Sequence, residues 1–272
     1  MTHSLDDGEL NTRVRNWMIE RSGIPLEARA ASIGWDDGWW VTENYPYVDS
    51  EGGTLREIDL VLGHDPLSDE ARPPHEFSPR DEPGDGHPFV EAVVECCRTP
   101  SHPWVFFQAP EYLDSGMSTI HHSMFWADSY SLHSPCFEDD YWTRRVSKNW
   151  DVAFSKSDSE IFDALVKATK GTIAEVNEFS GPSWVLPIVV IDGPLFTATI
   201  DRKGALQVTD SSRVSVLMSH NFVGFPRSTI VEVVALDHLA SLLQDFRRLA
   251  GAWWEHAIEY AEAQNAANEQ PD

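Results

Sequence analysis

Residues 184–191 (Trp-Val-Leu-Pro-Ile-Val-Val-Ile) form an apolar run with no polar interruption. A strand with one solvated face alternates apolar and polar side chains, whereas a strand covered on both faces does not. The run therefore predicts a strand in the middle of a sheet that is covered on both sides. With helical segments before and after it, it predicts an α/β fold.

The other elements fit around this strand. Leu10, Val14, Trp17 and Met18 recur at helical spacing, so residues 9–22 read as a helix ended by Gly23 and Pro25. Residues 38–48 are aromatic and β-prone. Gly52-Gly53 then turns the chain into 54–62, and the pair reads as a β-hairpin. Residues 88–97 form a strongly apolar strand, and Trp104–Phe107 a short extended run.

Ser157 with Glu160 resembles a capping box that opens a helix over 158–178. Further strands are expected at 195–201, 205–209, 213–219 and 229–236. Asp237 is read as the cap of a last helix carrying Leu239, Leu242, Leu243, Phe246, Leu249 and Trp253 on one face. Residues 63–87, with five prolines, and the irregular 109–150 stretch read as loop insertions. The expectation is one domain over 1–260 and a polar tail over 261–272.

Charge narrows the function classes. The chain carries 44 acidic and 20 basic residues, a formal net charge of −24, and none of its lysines precedes Lys148. A field of that sign repels phosphate backbones unless basic groups are concentrated locally. Weak DNA binding by the chain alone, and a protein partner, are therefore expected. The start Met1-Thr2-His3-Ser4-Leu5 lacks the basic and apolar regions of a secretory signal, and no stretch has the length of a membrane span. The three cysteines (Cys96, Cys97, Cys136) are too few for a disulfide framework. A reduced, cytoplasmic protein with no membrane contact is the expectation.

Chemistry is suggested by acids on two strands. Side chains alternate along a strand, so Glu57 and Asp59 are expected on one face of theirs, with Ile58 and Leu60 buried on the other. In Val93-Val94-Glu95-Cys96-Cys97, Glu95 and Cys97 share a face and Cys96 points away. If the two strands are neighbours, Asp59 meets Glu95, and Glu20 on the first helix approaches from the side. Converging carboxylates of this kind hold a hard divalent metal for phosphodiester cleavage, helped by a nearby cation.

The blocks Thr54-Leu55-Arg56-Glu57-Ile58-Asp59-Leu60-Val61-Leu62 and Phe89-Val90-Glu91-Ala92-Val93-Val94-Glu95-Cys96-Cys97, followed by Pro103-Trp104-Val105-Phe106-Phe107, resemble the PD-(D/E)xK, or restriction-endonuclease-like, nuclease superfamily. The resemblance spans roughly residues 9–192. It implies an α-β-β-β-α-β core with a mixed central sheet, to which the C-terminal strands and terminal helix are added. It implies Asp59 and Glu95 as ligands of Mg²⁺ or Mn²⁺, the backbone carbonyl of Cys96 as a third ligand, and Glu20 as the acid that some members carry on a helix. The motif lysine should stand at position 97, where this chain has Cys97. A thiol beside two carboxylates stays protonated and supplies no cation.

Two readings follow. One is a metal-dependent deoxyribonuclease whose catalysis is impaired or relies on a relocated lysine. The other is a catalytically inert binding or scaffold subunit of a larger nucleic-acid-processing or defence complex. Lys167 and Lys170, the candidates for relocation, read as solvated surface lysines. Arg98 should point to the opposite face from Cys97. His121, His122, His133 and Cys136 match no standard zinc spacing.

Overall fold

The computed structural model describes residues 7–64, 89–98, 102–108, 125–126, 146–155, 159–178, 183–218, 229–249 and 251. Most of the proline-rich 63–87 segment and of the 109–150 stretch lies outside these residues. So do the four histidine and cysteine positions from 121 to 136, and the polar tail.

Two helices, α1 (Asp7–Arg21) and α2 (Ile24–Asp36), precede the sheet. The expected stop at Gly23 and Pro25 is instead the start of α2, because proline at the first helical turn gives up no hydrogen bond. Next come β1 (Trp40–Val48), β2 (Leu55–His64), β3 (Phe89–Cys97), β4 (Trp104–Gln108), the two-residue β5 (Phe125–Trp126) and β6 (Val146–Val152). Helix α3 (Ser159–Glu178) leads into β7 (Ser183–Ile191). The last strands are β8 (Leu195–Ile200), β9 (Leu206–Asp210), β10 (Arg213–Met218) and β11 (Thr229–Ala235). A 3₁₀ turn at Leu236–His238, with no side-chain cap from Asp237, then enters α4 over 239–249. β6 falls in a stretch read as irregular, since its Ser-Lys-Asn centre hides the period.

The eleven strands among the described residues form one mixed sheet in the order β1-β2-β3-β7-β11-β10-β6-β4-β8-β9, with β5 set against β7. β1, β2 and β3 are an antiparallel meander. β7 follows α3 and lies parallel to β3, the connection between them running through β4, β5 and β6 before α3. The apolar 184–191 run is thus central, as its composition predicts. Pro187 sits within it, past the β5 pairing at 184–185 and before the β11 pairing that starts at Ile188.

Each face of the sheet has its own core. Leu60, Leu62, Val94, Ile188 and Val190 pack under α2 and α4, where Phe246 meets Trp184 edge-on at 4.6 Å. Val189, Ile191, Val231 and Val233 pack with Ile161, Leu165 and Ala168 of α3 on the other face. Side-chain alternation in β2 is not perfect. Ile58 packs with Val61 and Val93 on the α3 side, while Leu60 faces the opposite side. The break falls at Asp59, across from a stretch of β1 in which Asn44 adopts φ +53°. Among the described residues, no helix is long and apolar enough to cross a membrane.

Candidate functional site

Asp59 and Glu95 lie on β2 and β3, and the register Leu60↔Val94 sets them across from one another. The Asp59 carboxylate accepts a hydrogen bond from the backbone N–H of Cys96 at 2.7 Å, which fixes one of its oxygens. Glu95 projects from the same side of β3 as Val93, toward α3. There the ammonium of Lys167 donates to Asp59 Oδ1 at 3.3 Å and to Glu95 Oε1 at 2.8 Å. The two carboxylates therefore converge on one point, and a lysine from α3 fills the place between them.

Helix α3 can reach this far down because it packs closely on the sheet. A Cβ added at Gly171 would stand 3.0 Å from Val93 Cγ1, and Ala164 and Ala168 are buried on the same face. The expectation that Lys167 and Lys170 are solvated surface lysines is thereby corrected. Lys170 binds Asp49 at 3.0 Å and Glu51 at 2.6 Å, and the fully buried Asp49 also binds Arg56 at 2.8 Å. This cluster joins α3 to the β1–β2 turn, in which Gly53 takes φ +61°.

The charges of the site are strongly coupled. Burial, and then the charge of Asp59, push the Glu95 carboxyl up to about 8, with Lys167 opposing. Lys167 is itself raised: burial alone would lower it, but Glu95 and Asp59 outweigh that. The triad thus has more acidic oxygens than its single ammonium satisfies. Glu95 Oε2 lies 2.7 Å from Lys167 Nζ, yet outside hydrogen-bonding angles, and it is buried with no hydrogen-bond partner. That oxygen is paired with the ammonium through charge alone, so a hard cation would compete with Lys167 for it.

Glu20 lies in the last turn of α1, and its side chain is outside the described residues. Another helix-borne acid does approach the site. Glu27, in the first turn of α2, is raised by burial and then by the charge of Asp59, and lowered by Lys167. It was hidden from the sequence because α2 itself was missed. No group of three or more His, Cys, Asp or Glu side chains able to hold a metal occurs among the described residues. Asp59 and Glu95 are accordingly a pair, with Glu27 near rather than joined to them.

The cysteines divide as strand alternation predicts. Cys97 is on the Glu95 face, but its thiol packs against the apolar cluster under α3. Burial, then Glu95, pushes it far above its ordinary range, so it is a neutral thiol. Cys96 packs on the opposite face and is raised by burial in the same way. The backbone of Cys96 is tied to Asp59 through its N–H.

No family model, curated protein or solved structure matches this chain.

Proposed function

We propose that this chain is a divalent-metal-dependent phosphodiesterase of the PD-(D/E)xK kind, in which Lys167 of α3 takes the part of the lysine that position 97 lacks. The observation that carries the reading is a single ammonium held at hydrogen-bonding distance from both Asp59 and Glu95. The antiparallel β1-β2-β3 meander, with β7 parallel to β3 after α3, supports it as the core that the sequence resemblance implies, β4, β5 and β6 being inserted between β3 and α3. Asp59 and Glu95 would hold Mg²⁺ or Mn²⁺, which would supply Lewis-acid stabilisation of charge on a scissile phosphate. Asp59 is aimed by the Cys96 N–H. Lys167 would orient the attacking water and offset charge in the transition state.

The inert-scaffold reading drew on the missing lysine and on the acidic net charge, and the place of Lys167 beside Asp59 and Glu95 weighs against the first of these. The net charge of −24 still argues that a basic partner brings the nucleic acid. The direct test is incubation of single- and double-stranded DNA and RNA with purified protein in Mg²⁺ or Mn²⁺, beside Glu95→Gln. Cleavage that disappears in Glu95→Gln is expected. Cleavage of equal rate in the variant would sink the proposal.

Cys97 gives a second test. Cys97→Ala should leave activity within a few-fold of the parent. Cys97→Lys should not raise it, because the new ammonium would enter an apolar cluster at a cost of several kcal/mol and compete for the partners of Lys167. A gain of tenfold or more in Cys97→Lys would mean that Lys167 is not the working cation.

Acidity gives a third. The folded-state value of Glu95 lies above its ordinary 4.5, so its stabilising contribution is complete below that value and is lost as pH rises through about 8. The melting temperature of the metal-free protein is expected to fall across this window, less so in Glu95→Gln. Mg²⁺ or Mn²⁺ should restore more stability at the alkaline end, since the ion displaces the Glu95 proton. Differential scanning fluorimetry across pH, with and without metal, reads both effects.

A further inference from the structure

At the far end of the sheet from the site, β9 is the terminal strand among the described residues, and all five of its residues are exposed. Its apolar side is unusually open: Leu206 is 60% exposed, Val208 54%, and Ile200, the cross-strand neighbour of Leu206, 50%. The helices α2 and α4 on that side of the sheet lie over β2, β3 and β7 instead. The opposite sheet edge is blunted by Pro46 and by the positive φ of Asn44 in β1. β9 has neither a proline nor a lysine.

The hydrogen bonds of the β8–β9 hairpin set which backbone groups face outward. Asp201 N–H donates to the Ala205 carbonyl, and Ser211 N–H to that of Leu195. By antiparallel alternation, the N–H and C=O of Leu206, Val208 and Asp210 then point away from β8. They form a ready ladder with the spacing of a strand partner.

We propose that β9 pairs antiparallel with β9 of a second copy of this chain about a twofold axis at Gln207, joining two sheets into one. This register sets Leu206 across from Val208 of the second copy and uses the outward backbone groups of both. It also brings the basic turn at Arg202 and Lys203 toward Asp210 of the second copy at each end. Charge favours this site for self-association. In a chain of net charge −24, residues 195–210 contain two acids and two bases, so two copies meet here without the repulsion carried by the rest of the surface. A twofold contact uses the edge on both copies and closes, so the assembly stops at two.

Sedimentation velocity of the full chain over a micromolar dilution series tests this. The parent is expected to be a dimer and Val208→Pro a monomer, with the unfolding midpoint of the parent at dilutions where the parent is monomeric too, because the N–H lost at 208 faces outward rather than into the β8 ladder. If Val208→Pro does not fold, Leu206→Lys decides, since that side chain is exposed and an edge lysine resists pairing. Gln207→Cys should form a disulfide-linked dimer under oxidation, well above any background from the native cysteines in the parent. A parent that stays monomeric throughout, a dimer that persists in a folded edge variant, or a dimer that Gln207→Cys does not cross-link would each overturn the proposal.

Discussion

Replacing Lys167 with methionine is expected to lower metal-dependent cleavage by about a hundredfold or more, the scale of loss when a well-placed charge stabiliser leaves a transition state. The same change should tighten Mg²⁺ or Mn²⁺ binding. The ammonium pairs with both carboxylates, so an ion and the lysine would compete for the same oxygens. Opposite signs on turnover and metal affinity separate this role from simple structural damage, which would weaken both. Lys167→Arg should recover part of the activity, limited by the bulk of a planar guanidinium in a gap shaped for a compact ammonium. Metal titration by calorimetry together with single-turnover cleavage checks all of these. Unchanged cleavage in Lys167→Met would remove the residue from the chemistry.

The largest effect on stability is expected at Asp49. Its side chain is 2% exposed and binds Lys170 and Arg56. Burial would raise its carboxyl, but the Glu51 N–H, Lys170 and Arg56 together hold it below the usual carboxylate value. Asp49→Ala leaves the poorly exposed Lys170 ammonium paired with Glu51 but not with Asp49. Breaking a buried pair from one side costs about 3 kcal/mol or more, and for a chain of this size that lowers the melting temperature by roughly 6–12 °C. Acid should reproduce part of this loss. A depressed folded-state value stabilises above the ordinary 3.8 and fails as pH falls through the lowered value. Since Lys170 lies one helical turn from Lys167, Asp49→Ala should also loosen α3 over the site.

How far the sequence reveals this site depends on which element carries each group. Glu95 could be found from strand alternation, since β3 keeps its period; Asp59 is placed by the antiparallel meander that sets it across from Glu95, while the alternation expected for Ile58 and Leu60 breaks beside it. Lys167 could not be found that way, since it borders the apolar stripe of a long helix, where lysines are ordinarily solvated. A signal was nonetheless present. Ala164, Ala168 and Gly171 trace a line of small residues where a helix can sit low on a sheet, and Lys167 and Lys170 flank that line. Glu27 is hidden because α2 opens on Gly-Ile-Pro, which reads as punctuation after α1 rather than as the start of a new helix. In the fold, the long apolar strands and the last helix announced themselves through composition. β6 did not, and its neighbours in the sheet, β4 and β10, supply pairing that its own sequence barely encodes.

The position of Lys167 also carries a consequence for control. The lysine stands 72 residues from Glu95 and 108 from Asp59 along the chain, and it reaches them only when α3 is docked. A lysine on β3 would accompany Glu95 wherever the hairpin formed, including in partly folded or nascent chains. Here the acids can assemble without their cation, and a half-made molecule is a silent one. On the proposed reading, cleavage would report the docking equilibrium of one helix. Mild heat or denaturant that lifts α3 should therefore extinguish cleavage before the sheet itself melts.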